Sequence, residues 1–198
     1  MTFESSKNLT AFGFLLIVIG AALGFAVDFS GILSLIGIIL LLIGLKGLAN
    51  FYKEEGIFDN ALYSIIIAIV GCVVGVGVIA VSAVSALADL GIDWANIEDW
   101  ANIGTDIGTI FTDFNLSTIA TLLGALLAGL IILWVFMIIS MYFLRKSMNQ
   151  LSTKSGIGLF GTAGIIVLIG AVVPVIGLLI IWIGFILATV AFFQMKKE

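Results

Sequence analysis

The sequence predicts an all-α polytopic membrane protein with six transmembrane helices. Of its 198 residues, 62% are hydrophobic and only 10% are charged. Its apolar runs reach the ~20 residues that a helix needs to cross a bilayer. Only helices and closed barrels satisfy every backbone hydrogen bond inside lipid, and the runs lack the two-residue alternation typical of a barrel. The chain is therefore predicted to form one membrane domain, residues 1–198.

Six spans are predicted, at about 11–27, 31–50, 61–88, 116–144, 156–173 and 175–195. Two short hairpins flank a longer central pair, whose members are each ~42 Å long and exceed a hydrocarbon core of ~30 Å. The last apolar run, Gly156–Met195, is interpreted as a hairpin because Pro174 lies near its middle and disfavours helix at the preceding residue. One kinked helix of ~60 Å is the alternative.

Charge indicates that both termini lie in the cytoplasm. Six spans place every basic residue of the chain on one side: Lys7, Lys46, Lys53, Arg145, Lys146, Lys154, Lys196 and Lys197. The other side carries no base and seven acids: Asp28, Asp89, Asp93, Glu98, Asp99, Asp106 and Asp113. Because basic residues concentrate in cytoplasmic loops, we expect the first side to be cytoplasmic, in a multi-pass protein of the cell membrane.

Several kinds of chemistry are excluded or disfavoured by what the sequence lacks. With no histidine and one cysteine, Cys72, zinc, haem and iron–sulfur sites are not expected, and we predict no cofactor. No predicted span has an acid or base at its centre, as proton-coupled carriers and intramembrane hydrolases require. Deep hydroxyls such as Ser85, Ser140 and Thr189 are expected to bond back to their own helices. We therefore predict neither an enzyme nor a nucleic-acid partner.

Glycines spaced at helical intervals are the candidate helix-packing residues, because small residues let helix backbones approach closely in lipid. The motifs are Gly20-xxx-Gly24, Gly71-xxx-Gly75, Gly124-xxx-Ala128 and the heptad pairs Gly37/Gly44 and Gly177/Gly184. The heptad pairs belong to similar strings, IGIILLLIGL in the second span and IGLLIIWIGF in the sixth. Either the two hairpins are parallel repeats, or strings of Ile, Leu and Gly resemble each other by chance. Each motif fits either a dimer seam or packing within one chain.

The outer segment 89–115 is predicted to contain an amphipathic helix over residues 98–114. Asp99, Asp106 and Asp113 recur every seven residues and form an acidic stripe. An adjoining apolar stripe, extended by two preceding neighbours, is the candidate partner or oligomer surface: Trp94, Ile97, Trp100, Ile103, Ile107, Ile110 and Phe114. Two glycines weaken this helix by ~1 kcal/mol each, so it must dock on the membrane, on the central spans or on another subunit. Carboxylates ~10 Å apart along the axis do not share one metal ion.

Two stretches resemble a known family beyond their hydrophobicity. LKGLANFYKEEGIFDNALY (residues 45–63) and KSGIGLFGTAGIIVLIGA (residues 154–171) resemble archaeal and bacterial multi-pass proteins grouped as domain of unknown function 996. The terminal AFF (residues 191–193) fits as well, whereas the acidic segment lies outside the matched motifs. The resemblance implies a compact helical membrane domain of prokaryotic, archaeal origin, and it supplies no activity, cofactor or site.

The sequence favours a non-enzymatic membrane protein that serves as an oligomerising scaffold or as an accessory subunit of a larger membrane complex. Its expected partners are membrane lipids and either further copies of itself or another membrane subunit. A small passive channel or transporter is the alternative, for which the repeated hairpins are the one indication.

Overall fold

The computed structural model describes residues 1–23, 30–89 and 116–196. These residues form six α-helices and no strand: α1 (Phe3–Leu23), α2 (Ser30–Tyr52), α3 (Gly56–Asp89), α4 (Leu116–Ser155), α5 (Gly158–Val172) and α6 (Gly177–Gln194). The predicted all-α class is confirmed. The predicted outer amphipathic helix over 98–114 lies outside the described residues.

Five of the six helices are long and apolar enough to cross a membrane. The central pair is the longest, with 34 residues in α3 and 40 in α4, or ~51 and ~60 Å. Helix α5 has 15 residues, or ~22 Å, which is shorter than the usual span.

The last apolar run forms two antiparallel helices rather than one kinked helix. Helix α5 ends at Val172, the turn contains Pro174, and α6 begins at Gly177. Gly170 and Gly177 meet beside the turn, and Gly184 lies against Ala163 and Val167 farther back along α5. Helix α6 therefore returns along α5, as the position of the proline predicts.

The chain divides into two compact units, of which the first comprises residues 1–68 and 137–198. Helices α1 and α2 pack against each other in this unit, as do α5 and α6, and α1 also packs on α6. Its core contains an aromatic cluster: the Phe14 and Phe192 rings stack at 5.6 Å between centroids, and Phe160 meets Phe192 edge-on at 4.6 Å. All three phenylalanines are fully buried.

The second unit comprises residues 69–136, of which the structure describes 69–89 on α3 and 116–136 on α4. The two helix segments meet through small residues, since Gly75 lies against Gly129 and Leu133. Most of their large aliphatic side chains point away from this contact; Val73, Val81 and Leu127 are all at least 60% exposed. Such a surface is compatible with hydrocarbon around it and not with water.

Candidate functional site

Among the residues whose burial is described, no acidic or basic side chain lies in the interior. In the part of the chain whose burial is described, every buried polar side chain is a hydroxyl or an amide, and no Asp, Glu, Lys or Arg is buried. The same residues contain no cluster of three or more His, Cys, Asp or Glu able to hold a metal ion. The buried polar groups are Ser6, Thr10, Asn60, Ser64, Ser140, Ser147 and Thr189.

Polar side chains join α3 to α4 at three levels of the first unit. The Ser64 and Ser140 hydroxyls lie 3.0 Å apart, and Ser140 also donates to the Ser64 carbonyl oxygen at 2.8 Å. Nearer the α3 N-terminus, Asn60 donates to the Gln150 side-chain oxygen at 3.1 Å. Closest to the α3 N-terminus, Ser147 donates to the main-chain carbonyl oxygen of Ile57. Cross-helix bonds of this kind hold helices together in lipid.

The expectation that deep hydroxyls bond back to their own helices holds for Ser85 and Thr189. They donate to the carbonyl oxygens four residues earlier, at 3.0 and 2.8 Å. Ser140 differs, because its hydroxyl crosses to α3. Its sequence surroundings do not mark it, since a serine in an apolar helix looks the same whether or not another helix lies opposite.

The heptad glycines of α2 and α6 lie at equivalent places in the two hairpins. Gly37 lies against Gly13 and Ile17 of α1, and Gly44 lies against Thr10 of the same helix. Gly177 and Gly184 make the corresponding contacts with α5. In each case an added Cβ would press on main-chain atoms of the partner helix. These four glycines therefore line seams between helices of one chain.

The remaining candidate glycines have different surroundings. Gly71 lies against Phe136 and Gly75 against Gly129, both within the second unit. An added Cβ at Gly124 would meet no atom within 4 Å. Gly20 is buried on α1, and Gly24 lies outside the described residues.

Three glycines that face a glycine of another helix lie outside the motifs that the sequence suggested. They are Gly13, opposite Gly37, Gly129, opposite Gly75, and Gly170, opposite Gly177. Gly13 precedes Gly20 by seven residues, so the heptad spacing that marks α2 and α6 was also available on α1. Gly129 has no such spacing to a second glycine on its helix.

The acidic stripe and the apolar stripe of the outer segment are outside the described residues. The positions concerned are Trp94, Ile97, Asp99, Trp100, Ile103, Asp106, Ile107, Ile110, Asp113 and Phe114. Their arrangement as a partner surface stays a prediction.

The charged residues of the first unit gather where its chain segments begin, turn and end. The Lys7 ammonium lies 2.8 Å from Glu4 and donates to the Met195 carbonyl oxygen at 3.2 Å, which joins the start of α1 to the end of α6. Lys154, at the end of α4, pairs with Glu54 in the α2–α3 turn at 3.1 Å. These contacts bring the start of α1 to the end of α6, and the end of α4 to the α2–α3 turn.

A tryptophan ties the two hairpins together. The Trp182 indole nitrogen donates to the Val18 carbonyl oxygen of α1 at 3.0 Å. Phe14 of α1 and Phe185 of α6 meet on the same helix pair, with ring centroids 5.7 Å apart. The tryptophan in IGLLIIWIGF was visible in the sequence, but its acceptor on another helix was not.

Comparison with known proteins gives a family and a relative. A model of the family described as "Protein of unknown function (DUF996)" matches residues 33–192. The "Uncharacterized protein MJ1644" of Methanocaldococcus jannaschii is 23% identical over 200 residues, which cover 100% of this chain and 96% of that protein. No solved structure matches the chain.

Proposed function

The chain belongs to the DUF996 family, and we propose that it is a structural membrane protein that assembles with further copies of itself or with another membrane subunit. The proposal assigns it no enzymatic activity. The observation that carries it is the closed interior of the first unit. There, aromatic and aliphatic side chains fill the space between the helices, and hydroxyls and amides bond to neighbouring helix groups.

Two features of that interior favour a structural role over transport. Every buried side-chain nitrogen and oxygen in the described part of the chain has a hydrogen-bond partner within the protein. A pathway for ions or solutes needs polar groups that face a shared water-filled axis. The residues with the largest fully buried side chains are instead Phe14, Phe160, Phe192, Leu45 and Leu48.

The same interior disfavours coupling to a proton gradient. Proton relays in membranes use Asp, Glu or His within the spans, and their burial is tolerated because function requires it. The acids and bases whose burial is described are exposed or half-buried. We propose that solute movement, if the chain took part in it, would require groups from another subunit.

Assembly is proposed to use the outer segment. The apolar stripe that includes Ile107 and Phe114 needs a surface on which to dock, since a 17-residue helix with two glycines is marginal in water. Helix α3 ends at Asp89 and α4 begins at Leu116, so this segment connects the two longest helices of the chain. A second copy that presents the same stripe would complete its burial, and the acidic stripe would keep the outer face soluble.

The proposed orientation places both termini in the cytoplasm. The end of the first unit that joins Lys7, Lys154 and Glu54 holds the basic loops, and basic loops remain cytoplasmic. The acidic segment 89–115 would then face outward, away from the anionic lipids of the cytoplasmic leaflet.

The experiment is a measurement of subunit stoichiometry in one mild detergent, by mass, for the wild type and the double variant Ile107→Ser/Phe114→Ser. Each buried apolar side chain contributes ~1.5–3 kcal/mol, so the double variant is expected to shift the oligomer to monomer while still inserting into membranes. Asn102→Ser/Thr109→Ser, on the acidic side of the same predicted helix, is the control and should leave the assembly unchanged.

A wild-type protein that is monomeric at all concentrations would reject assembly with further copies of itself. Transport is tested separately with reconstituted vesicles under a pH gradient. Proton-dependent solute uptake that is absent from protein-free vesicles would reject the structural role itself.

A further inference from the structure

An open groove lies on the first unit between the last turns of α2 and the first turn of α3. Its volume is about 400 Å³, within the range of small-molecule sites in proteins. The residues that matter for its chemistry are Leu42, Ile43, Lys46, Gly47, Asn50 and Phe58. Among the lining residues, only Lys46 and Asn50 carry polar side chains.

The polar part of the groove is a cation beside an amide. Lys46 and Asn50 are exposed and lie four residues apart, and therefore on one face of α2. The Lys46 ammonium sits 4.6 Å from the centre of the Phe58 ring, which holds it over the groove. Neither of the two ion pairs found in the described residues includes Lys46. Its charge is thus available to an anion.

The apolar part of the groove continues from Lys46 towards the middle of α2. Leu42 and Ile43 lie one turn before Lys46 on the helix. Gly47 has no side chain to fill the groove. It lies in close contact with Ser6 of α1, which leaves no room for a Cβ atom. The groove therefore joins a hydrophobic wall to a cationic mouth.

We propose that this groove binds one phospholipid with an anionic headgroup. The lipid phosphate would accept hydrogen bonds from the Lys46 ammonium and the Asn50 amide, and an acyl chain would lie along Leu42 and Ile43. Lysines at the membrane interface keep their aliphatic stems in apolar surroundings while the ammonium reaches the headgroups. A soluble anion would use the cation and leave the apolar wall without a partner, so the wall favours a lipid.

The test is native mass spectrometry of the delipidated full-length protein with equal amounts of phosphatidylglycerol and phosphatidylcholine. The wild type is expected to retain one phosphatidylglycerol in preference to phosphatidylcholine. Lys46→Gln should retain about fivefold less phosphatidylglycerol, which corresponds to ~1 kcal/mol for one lysine near anionic lipid. Ile43→Trp, which fills the groove without changing charge, should reduce retention of both lipids.

Lys146→Gln is the matched control, because Lys146 also lies beside aromatic rings, 5.9 Å from those of Tyr142 and Phe143, but does not line the groove. It should retain phosphatidylglycerol as the wild type does. An equal loss in the two lysine variants, or no loss in Lys46→Gln, would overturn the proposal in favour of diffuse attraction to the surface. Displacement of the lipid by equimolar inorganic phosphate would overturn the lipid as the ligand.

Discussion

Ser64 of α3 and Ser140 of α4 form a reciprocal pair of hydrogen bonds between helices. Because the Ser140 hydroxyl donates its one proton to the Ser64 carbonyl oxygen, the hydroxyl–hydroxyl bond must be donated by Ser64. Both side chains are buried, with exposed fractions of 4% and 1%. These two bonds hold α3 and α4 in one register.

This pair predicts unequal effects of removing the two hydroxyls. Ser140→Ala removes two cross-helix bonds and should lower the free energy of unfolding by ~1 kcal/mol, whereas Ser64→Ala removes one and should lower it by ~0.6 kcal/mol. The measurement is unfolding of the purified protein in mixed micelles by increasing fractions of a denaturing detergent. Ser85→Ala is the control, since that hydroxyl is exposed and bonds within its own helix. A larger effect of Ser64→Ala would contradict the second bond, from the Ser140 hydroxyl to the Ser64 carbonyl oxygen.

Two glycines of α4 are predicted to respond oppositely to alanine. At Gly129 an added Cβ would lie 2.8 Å from the Gly75 carbonyl oxygen and 2.5 Å from a carbon of Ile79. Overpacking of this kind should destabilise the α3–α4 contact by ~1–3 kcal/mol. At Gly124 nothing lies within 4 Å, so Gly124→Ala should be neutral or stabilising by up to ~1 kcal/mol. The same micelle unfolding measures both, and equal responses would contradict the seam.

The turn between α5 and α6 is predicted to become more stable when Val175 is replaced by glycine. Val175 has φ 65°, a left-handed conformation that disfavours β-branched residues, and it is 85% exposed. Val175→Gly relieves the clash of Cβ with the backbone and removes little buried surface, so we expect a gain of ~1 kcal/mol. Thermal unfolding in detergent is the measurement.

The adjacent residue provides the control for this turn. Ile176 has φ −65°, which every residue adopts easily, so Ile176→Gly relieves no strain and should not stabilise the protein, because glycine increases the conformational freedom of the unfolded chain. If both glycine variants shifted the unfolding temperature in the same direction, backbone strain at Val175 would not be the cause.

The orientation is predicted from the distribution of charge and can be read with single cysteines. In a Cys72→Ser background, an impermeant thiol reagent applied to intact cells should label Thr105→Cys and should not label Ser5→Cys or Gln194→Cys. Ser5 and Gln194 are both exposed on the first unit, so permeabilised cells should show labelling of both and serve as the control. Labelling of Gln194→Cys but not of Ser5→Cys from outside would contradict an even number of crossings, and labelling of both would contradict cytoplasmic termini.

The sequence by itself determined that this chain is helical, although α1 begins at Phe3 rather than at residue 11 and α4 continues to Ser155 rather than ending at residue 144. A helix that crosses a bilayer needs a long run of apolar residues and backbone hydrogen bonds within the helix itself. Both are properties of a single segment, so they can be recognised from the sequence of that segment alone. Pro174 likewise divided α5 from α6 through a local steric effect. The sequence of each predicted span also shows directly that no acid or base lies at its centre.

The tertiary structure decided which residues face which helix. In a water-soluble protein an apolar stripe marks the buried side of a helix, but here both sides of most helices are apolar. Lipid tails are as apolar as leucine, so no hydrophobic pattern distinguishes a lipid-facing side from a protein-facing one. For this reason Gly129 and Gly124 look alike in the sequence and differ in the fold. For the same reason Ser140 was expected to bond within α4, whereas the structure pairs it with Ser64 on α3.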